Sequence, residues 1–193
     1  MAGDLVIGLD ASGIARIEAA MQAAGGRAHD AIRRAVNWTG DRTRTKVVKA
    51  LTKQTGLKHA VLQRAVVPTR ANYGALEYRM RARGGNIALK YFGARETQAG
   101  VTAAPWGERH LYAAAFTRGG QFPNRVPIPG LHGQVFQRVD GTRLPIEKVK
   151  SGLFIPQEMV KGETAAAFEE TVAAILPGRV EHEVGAILKG IVR

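Results

Sequence analysis

Apolar residues recur at helical spacing toward both ends of the chain and at two-residue spacing in between. Ala28, Ile32, Val36, Thr39, Thr43, Val47, Ala50 and Leu51 follow one another at steps of three and four, with a single step at the end. That is one face of a helix, predicted over residues 27–54. Gly40 weakens it locally, and Gly56 is placed to stop it. Near the C-terminus, Phe168, Val172, Ile175 and Leu176 form one stripe, and Val180, Val184, Ile187, Leu188 and Ile191 form another. Pro177-Gly178 lies between them, so the pattern predicts either one kinked helix or two consecutive helices. A short helix is expected over residues 57–63, with Thr55 as its cap. Residues 4–10 read as a short strand or arm. Residues 11–26 are Ala-rich and helical in character, interrupted at Gly25-Gly26.

From residue 64 the period changes to two. Residues 64–70, 75–81 and 87–91 read as strands, with turns at Asn72-Tyr73-Gly74 and Gly84-Gly85-Asn86. Leu76, Tyr78 and Met80 alternate with Glu77, Arg79 and Arg81, giving one buried and one charged face. Residues 93–125 show no period and are rich in Gly, Ala, Arg and Thr. A loop of that length inside a compact domain is functional or is ordered by a partner. Val135, Gln137 and Val139 suggest one more strand before the Asp140-Gly141 turn, and residues 145–157 read as an extended connector. No repeat and no linker divides the chain. The expectation is a single α+β domain over residues 1–193. It has a long N-terminal helix, a central antiparallel sheet with a long loop insertion at 93–125, and C-terminal helices.

Composition sharpens this picture. The 193 residues carry 28 Lys and Arg against 16 Asp and Glu, a formal net charge of +12. The excess is concentrated. Residues 31–155 hold 22 basic and six acidic groups, whereas residues 1–30 and 156–193 each lean acidic. A block of that sign and size faces either solvent or a polyanion, most commonly nucleic acid. Within the long helix, Arg42, Lys46, Lys49 and Lys53 are spaced four, three and four apart, forming a stripe within about 60° of the apolar face. Such a stripe is either a solvated face or a phosphate-facing one. There is no cysteine, so no disulfide or thiolate metal site can form. No apolar run approaches membrane-spanning length. Acids stand near the N-terminus where a signal peptide would place Lys or Arg, so a soluble cytoplasmic protein is expected.

The sequence offers little for catalysis. Its two serines, Ser12 and Ser151, lie in no nucleophile elbow, and no phosphate loop or dinucleotide fingerprint occurs. The five histidines have no metal-ligand spacing. Glu181-His182-Glu183 reads as a solvated helix face, and Glu169-Glu170 as surface. The Asn37-Trp38-Thr39 sequon lies in a predicted helix and is discounted. Neither catalysis nor a cofactor is expected. Trp38 is a core or interface anchor. Trp106 either docks into a partner or tucks into the protein's own core. With the apolar island Leu111, Tyr112 and Phe116, Trp106 is the candidate assembly surface. Arg42, Lys46, Lys49 and Lys53 are the candidate DNA-facing residues.

Residues 133–139, reading Gly-Gln-Val-Phe-Gln-Arg-Val, precede Asp140-Gly141 and then residues 143–149, Arg-Leu-Pro-Ile-Glu-Lys-Val. This stretch resembles the prophage minor tail protein Z family, the tail-completion proteins of lambdoid siphophages. The island at residues 110–116 resembles the Ala-Phe element that precedes that strand in the family. Residues 93–101 resemble a segment at the start of a long insertion loop in tail-completion proteins generally, although the region is less Arg-dense here. Chain length, the basic N-terminal helix and the helical C-terminus match in order. The resemblance covers most of the chain and is most specific over residues 111–157. It implies a structural virion protein at the head-proximal end of the tail, made in the host cytoplasm. The implied form is a homo-oligomeric ring, six-fold in expectation. Its partners would be tail-tube, tail-terminator or neck proteins, with genomic DNA passing through the lumen and no membrane. The alternative is a sequence-nonspecific DNA-binding accessory protein.

Overall fold

A computed structural model describes residues 3–7 and 25–190. The expected helix over residues 11–26, the end of the first strand at residues 8–10, Ser12 and Ile191 lie outside the described residues, apart from a 3-10 turn at Gly25–Arg27. In chain order the elements are β1 (Gly3–Ile7), α1 (Ala28–Thr55), α2 (His59–Ala65), β2 (Val66–Thr69), β3 (Tyr78–Ala82), β4 (Arg95–Thr97) and β5 (Gly100–Ala103). There follow β6 (His110–Ala113), β7 (Phe136–Arg138), β8 (Ile146–Lys148), α3 (Ile155–Met159) and α4 (Gly162–Leu188). The fold is α+β.

Helix α1 forms where the apolar period places it. Ile32, Val36, Val47 and Leu51 are fully or almost fully buried, and Thr39 and Thr43 share that face. It ends at Gly56, whose φ of 73° lets its N–H reach the Thr52 carbonyl at 3.0 Å. Helix α4 packs along α1 through Leu176, Val180, Val184 and Ile187. It is one helix with Pro177 inside it, which resolves the two readings of that region. Thr55 does not cap α2, whose N-cap is Lys58. The Thr55 hydroxyl donates to the Leu51 carbonyl and accepts from the Leu57 N–H.

Three separate antiparallel sheets replace the single central one. The first has the order β1-β3-β2, with Leu5 opposite Met80 and Val66 opposite Ala82. Its inner face buries Ile7, Val66, Tyr78 and Met80. The second has the order β4-β5-β6, and the third is the β7–β8 hairpin. Residues 64–70 split between the end of α2 and β2. Residues 87–91 are not a strand. Leu89–Phe92 makes a 3-10 turn that buries Leu89 and Phe92, whose spacing of three fits a turn rather than a strand.

The long insertion also lies elsewhere. Residues 93–113 carry β4, β5 and β6, whose small residues Gly100, Ala103 and Thr102 hide the strand pattern. The exposed segment is instead residues 117–150. It is rooted where the Phe116 and Phe136 backbones exchange hydrogen bonds of 2.8 and 2.9 Å and where the Val149 N–H reaches Val135 at 2.9 Å. Val135 is buried at this root, and most residues beyond it are exposed. The expected connector at 145–157 contains β8 and most of α3.

Candidate functional site

The basic stripe stands on the exposed side of α1. Arg42, Lys46, Lys49 and Lys53 are all exposed. The Arg42 guanidinium lies 4.1 Å from the centre of the Trp38 ring, and that of Arg179 on α4 lies 4.5 Å from it. Arg42 is thereby stacked on an aromatic surface. The three lysines line a shallow groove of about 300 Å³ between α1 and α4, whose far wall carries Glu163 and Glu170. The stripe is therefore continuous but faces carboxylates across the groove, and these offset part of its field toward an external anion.

Beside the stripe lies a buried carboxylate. Glu183 is almost fully buried and accepts from Arg34 Nε at 2.8 Å and from Arg179. This corrects the reading of Glu181-His182-Glu183 as a solvated face, because only Glu181 and His182 are exposed. Two guanidinium groups satisfy the charge that burial would otherwise penalise. Glu169 and Glu170 are exposed, as read from sequence. The Asn37 side chain pairs with both backbone groups of Ala71, at 3.0 and 2.8 Å, so the sequon asparagine ties α1 to the chain before β3.

The four assembly candidates are not gathered into one patch. Trp106 occupies a left-handed turn with φ of 56°. It is 43% exposed while its indole N–H donates to Glu158 Oε1 at 3.3 Å. It is thus held to its own domain at one edge and open at another. Glu158 is nearly buried, and it also accepts from Gln54 Nε2 at 2.8 Å and Lys161 Nζ at 2.9 Å. Burial alone would raise its pKa, but the hydrogen bonds from Gln54, Lys161 and Trp106 outweigh that and hold the carboxyl below its usual range. Leu111 and Tyr112 are neighbours on β6. Leu111 is exposed, whereas Tyr112 is half-buried, and burial pushes its phenol pKa up. Phe116 is half-buried at the root of the exposed segment, stacked on Phe136 at 6.4 Å with the Arg138 guanidinium 5.5 Å from its ring.

Sequence reasoning passed over two features of this region. Glu96 on β4 accepts from the Thr117 N–H at 3.2 Å, the Thr117 hydroxyl at 3.0 Å and Arg125 at 2.7 Å. It is the polar anchor of the segment. Beyond that anchor Phe122, Val126, Ile128, Val139 and Leu144 are exposed. Their alternation with Pro, Gly and Arg was the signal in the sequence for an extended, solvent-facing arm. Among the described residues no group of three or more His, Asp or Glu is placed to hold a metal ion, and no helix is long and apolar enough to cross a membrane. Comparison with known protein families, characterised proteins and solved structures finds no match.

Proposed function

We propose that this chain is a structural minor tail protein of a phage, a tail-completion subunit. It forms part of a ring at the head-proximal end of the tail tube, where it serves tail maturation, head–tail joining and DNA passage. The observation that carries this reading is the arm at residues 117–150. The stretch that resembles the tail protein Z family, residues 133–149, makes up the β7–β8 hairpin and its flanks. Large apolar side chains of the arm face solvent, with Leu144 69% exposed within that stretch and Val126 64% exposed before it. Apolar area left in water on an ordered arm is stabilised when a partner covers it. The basic stripe on α1 supports the same reading, because cations facing a lumen attract phosphates without reading sequence. In this role the protein is architectural rather than catalytic, and tail-tube, terminator or neck proteins are its neighbours.

Electron microscopy of tails assembled with and without the protein tests this. The expected result is added ring density at the head-proximal end of the tube. Unchanged tails, with the protein found only on free or packaged DNA, would replace the reading with that of a DNA-binding accessory protein. The exposed cations of α1 favour that second reading, and its mark is DNA affinity that falls steeply with salt.

A further inference from the structure

We infer that the arm of one copy docks on the outward face of α4 of the next copy, head to tail. This deepens the reading of the chain as a ring subunit and rests on it. Two surfaces of the same molecule carry the inference, and they complement each other in charge.

The arm, residues 117–150, has six basic and two acidic residues outside its root. Arg143 and Lys148 are exposed and form no ion pair among the described residues. Between these cations stand the exposed apolar side chains already described. Helix α4 has the opposite balance, five acidic residues to one basic. Its exposed residues Ala166, Ala173, Pro177 and Glu181 follow at steps of seven, four and four, so they share one outward face. Small side chains lie along that face, and the exposed Glu169 and Glu181 flank them. A cationic arm with apolar residues is matched in charge to a strip of small residues edged by carboxylates.

The apolar content decides between partners. A surface made for nucleic acid would present cations and polar groups. Five large hydrophobics on one arm call for a protein surface instead. The complementary surface is present on the same chain but belongs to a different element, so the contact is heterologous. Heterologous contacts close into rings when the rotation allows.

Sedimentation of the purified full chain over a concentration series tests the contact. One variant reverses the arm (Arg143→Glu, Lys148→Glu) and one reverses the helix (Glu169→Lys, Glu181→Lys). Glu170 is left intact because it faces the lysines of α1. Circular dichroism checks that each variant keeps its helices. The parent is expected to self-associate, and each variant to do so at least about tenfold more weakly. A one-to-one mixture of the two variants restores association, because each reversed arm then meets a reversed helix. The chain carrying all four changes restores it too. A parent that stays monomeric at every concentration overturns the inference. So does a single variant that associates like the parent, or a mixture that fails to recover. An arm variant that associates normally but loses DNA binding assigns the arm to nucleic acid and also overturns it. None of these results decides whether density appears on tails, so the docking contact and the tail-completion reading fail separately.

Discussion

At the scale of single residues, Gly40 shows how packing overrides propensity. A glycine inside a helix is normally worse than alanine by roughly 0.5–1 kcal/mol. Here a β-carbon would stand 2.3 Å from the ring of Tyr78, which has no exposed surface and donates its hydroxyl to Asp41 at 3.0 Å. Overpacking a buried site costs about 1–3 kcal/mol, more than the helix propensity returns. Gly40→Ala is therefore expected to lower the melting temperature by several degrees, and an unchanged or higher value would show that the ring is free to shift. Glu158 gives a second test. Its folded pKa lies below that of an unfolded carboxylate, about 4.3. Its contribution is thus complete above that value and is lost as pH falls through the folded pKa. Melting curves of the parent and Glu158→Gln should be apart at pH 7 and draw together as the pH falls below the ordinary carboxylate range; a constant gap would mean the carboxylate charge contributes nothing. The two buried acids were not equally legible in the sequence. Glu183 had a signal, since residues 176, 180, 183 and 187 step by four, three and four and place it on the buried arc. Glu158 had none, because its partner Gln54 is 104 residues away.

At the scale of elements, long helices announce themselves and short strands do not. Helix α1 has 28 residues, so its apolar face repeats often enough to fix both its ends within about one residue of the expected ones. Strands β4, β5 and β6 have three or four residues each, too few for a period, and β5 buries Gly100, Val101 and Ala103. Their pairing rests on backbone hydrogen bonds that composition does not reveal. This is why the insertion was expected at residues 93–125 although the exposed arm begins at 117. The expected assembly residues divided for the same reason: Phe116 became the root of the arm, and Leu111 stayed exposed on β6. Glu96 joins this sheet to the arm, so Glu96→Ala should loosen the arm without melting the helices. Trypsin cleavage after Arg118 and Arg125 is expected to speed up several-fold, while amide exchange in α1 and α4 stays as in the parent. Unaltered cleavage would mean that the Phe116–Phe136 root alone orders the arm.

At the scale of the whole molecule, the distribution of charge suggests a division of labour. Acidic α4 lies beside the basic stripe of α1, so the stripe is both an exposed cation row and one wall of a groove whose other wall is acidic. The choice of substitution follows from this. Replacing the stripe with Glu would set new carboxylates against Glu163 and Glu170, and a loss of infectivity could then come from a strained α1–α4 groove. Arg42→Gln, Lys46→Gln, Lys49→Gln and Lys53→Gln together remove the charge and keep the bulk near that of the parent. Only Arg42 also gives up its stacking on Trp38. Even a formed surface ion pair is worth only about 0–1 kcal/mol, so removing these exposed charges should change the melting temperature little. If the stripe meets phosphates, the salt dependence of DNA binding should become shallower by up to about 3–4 logarithmic units per decade of salt, near 0.9 for each phosphate no longer neutralised. On the proposed tail-completion reading, phage carrying the four glutamines should form tails of normal appearance but few plaques, with assembly kept while DNA passage or joining is impaired. Normal plaque counts together with an unchanged salt slope would make the stripe a solvated face, and the arm alone would remain as the proposed contact with a neighbour.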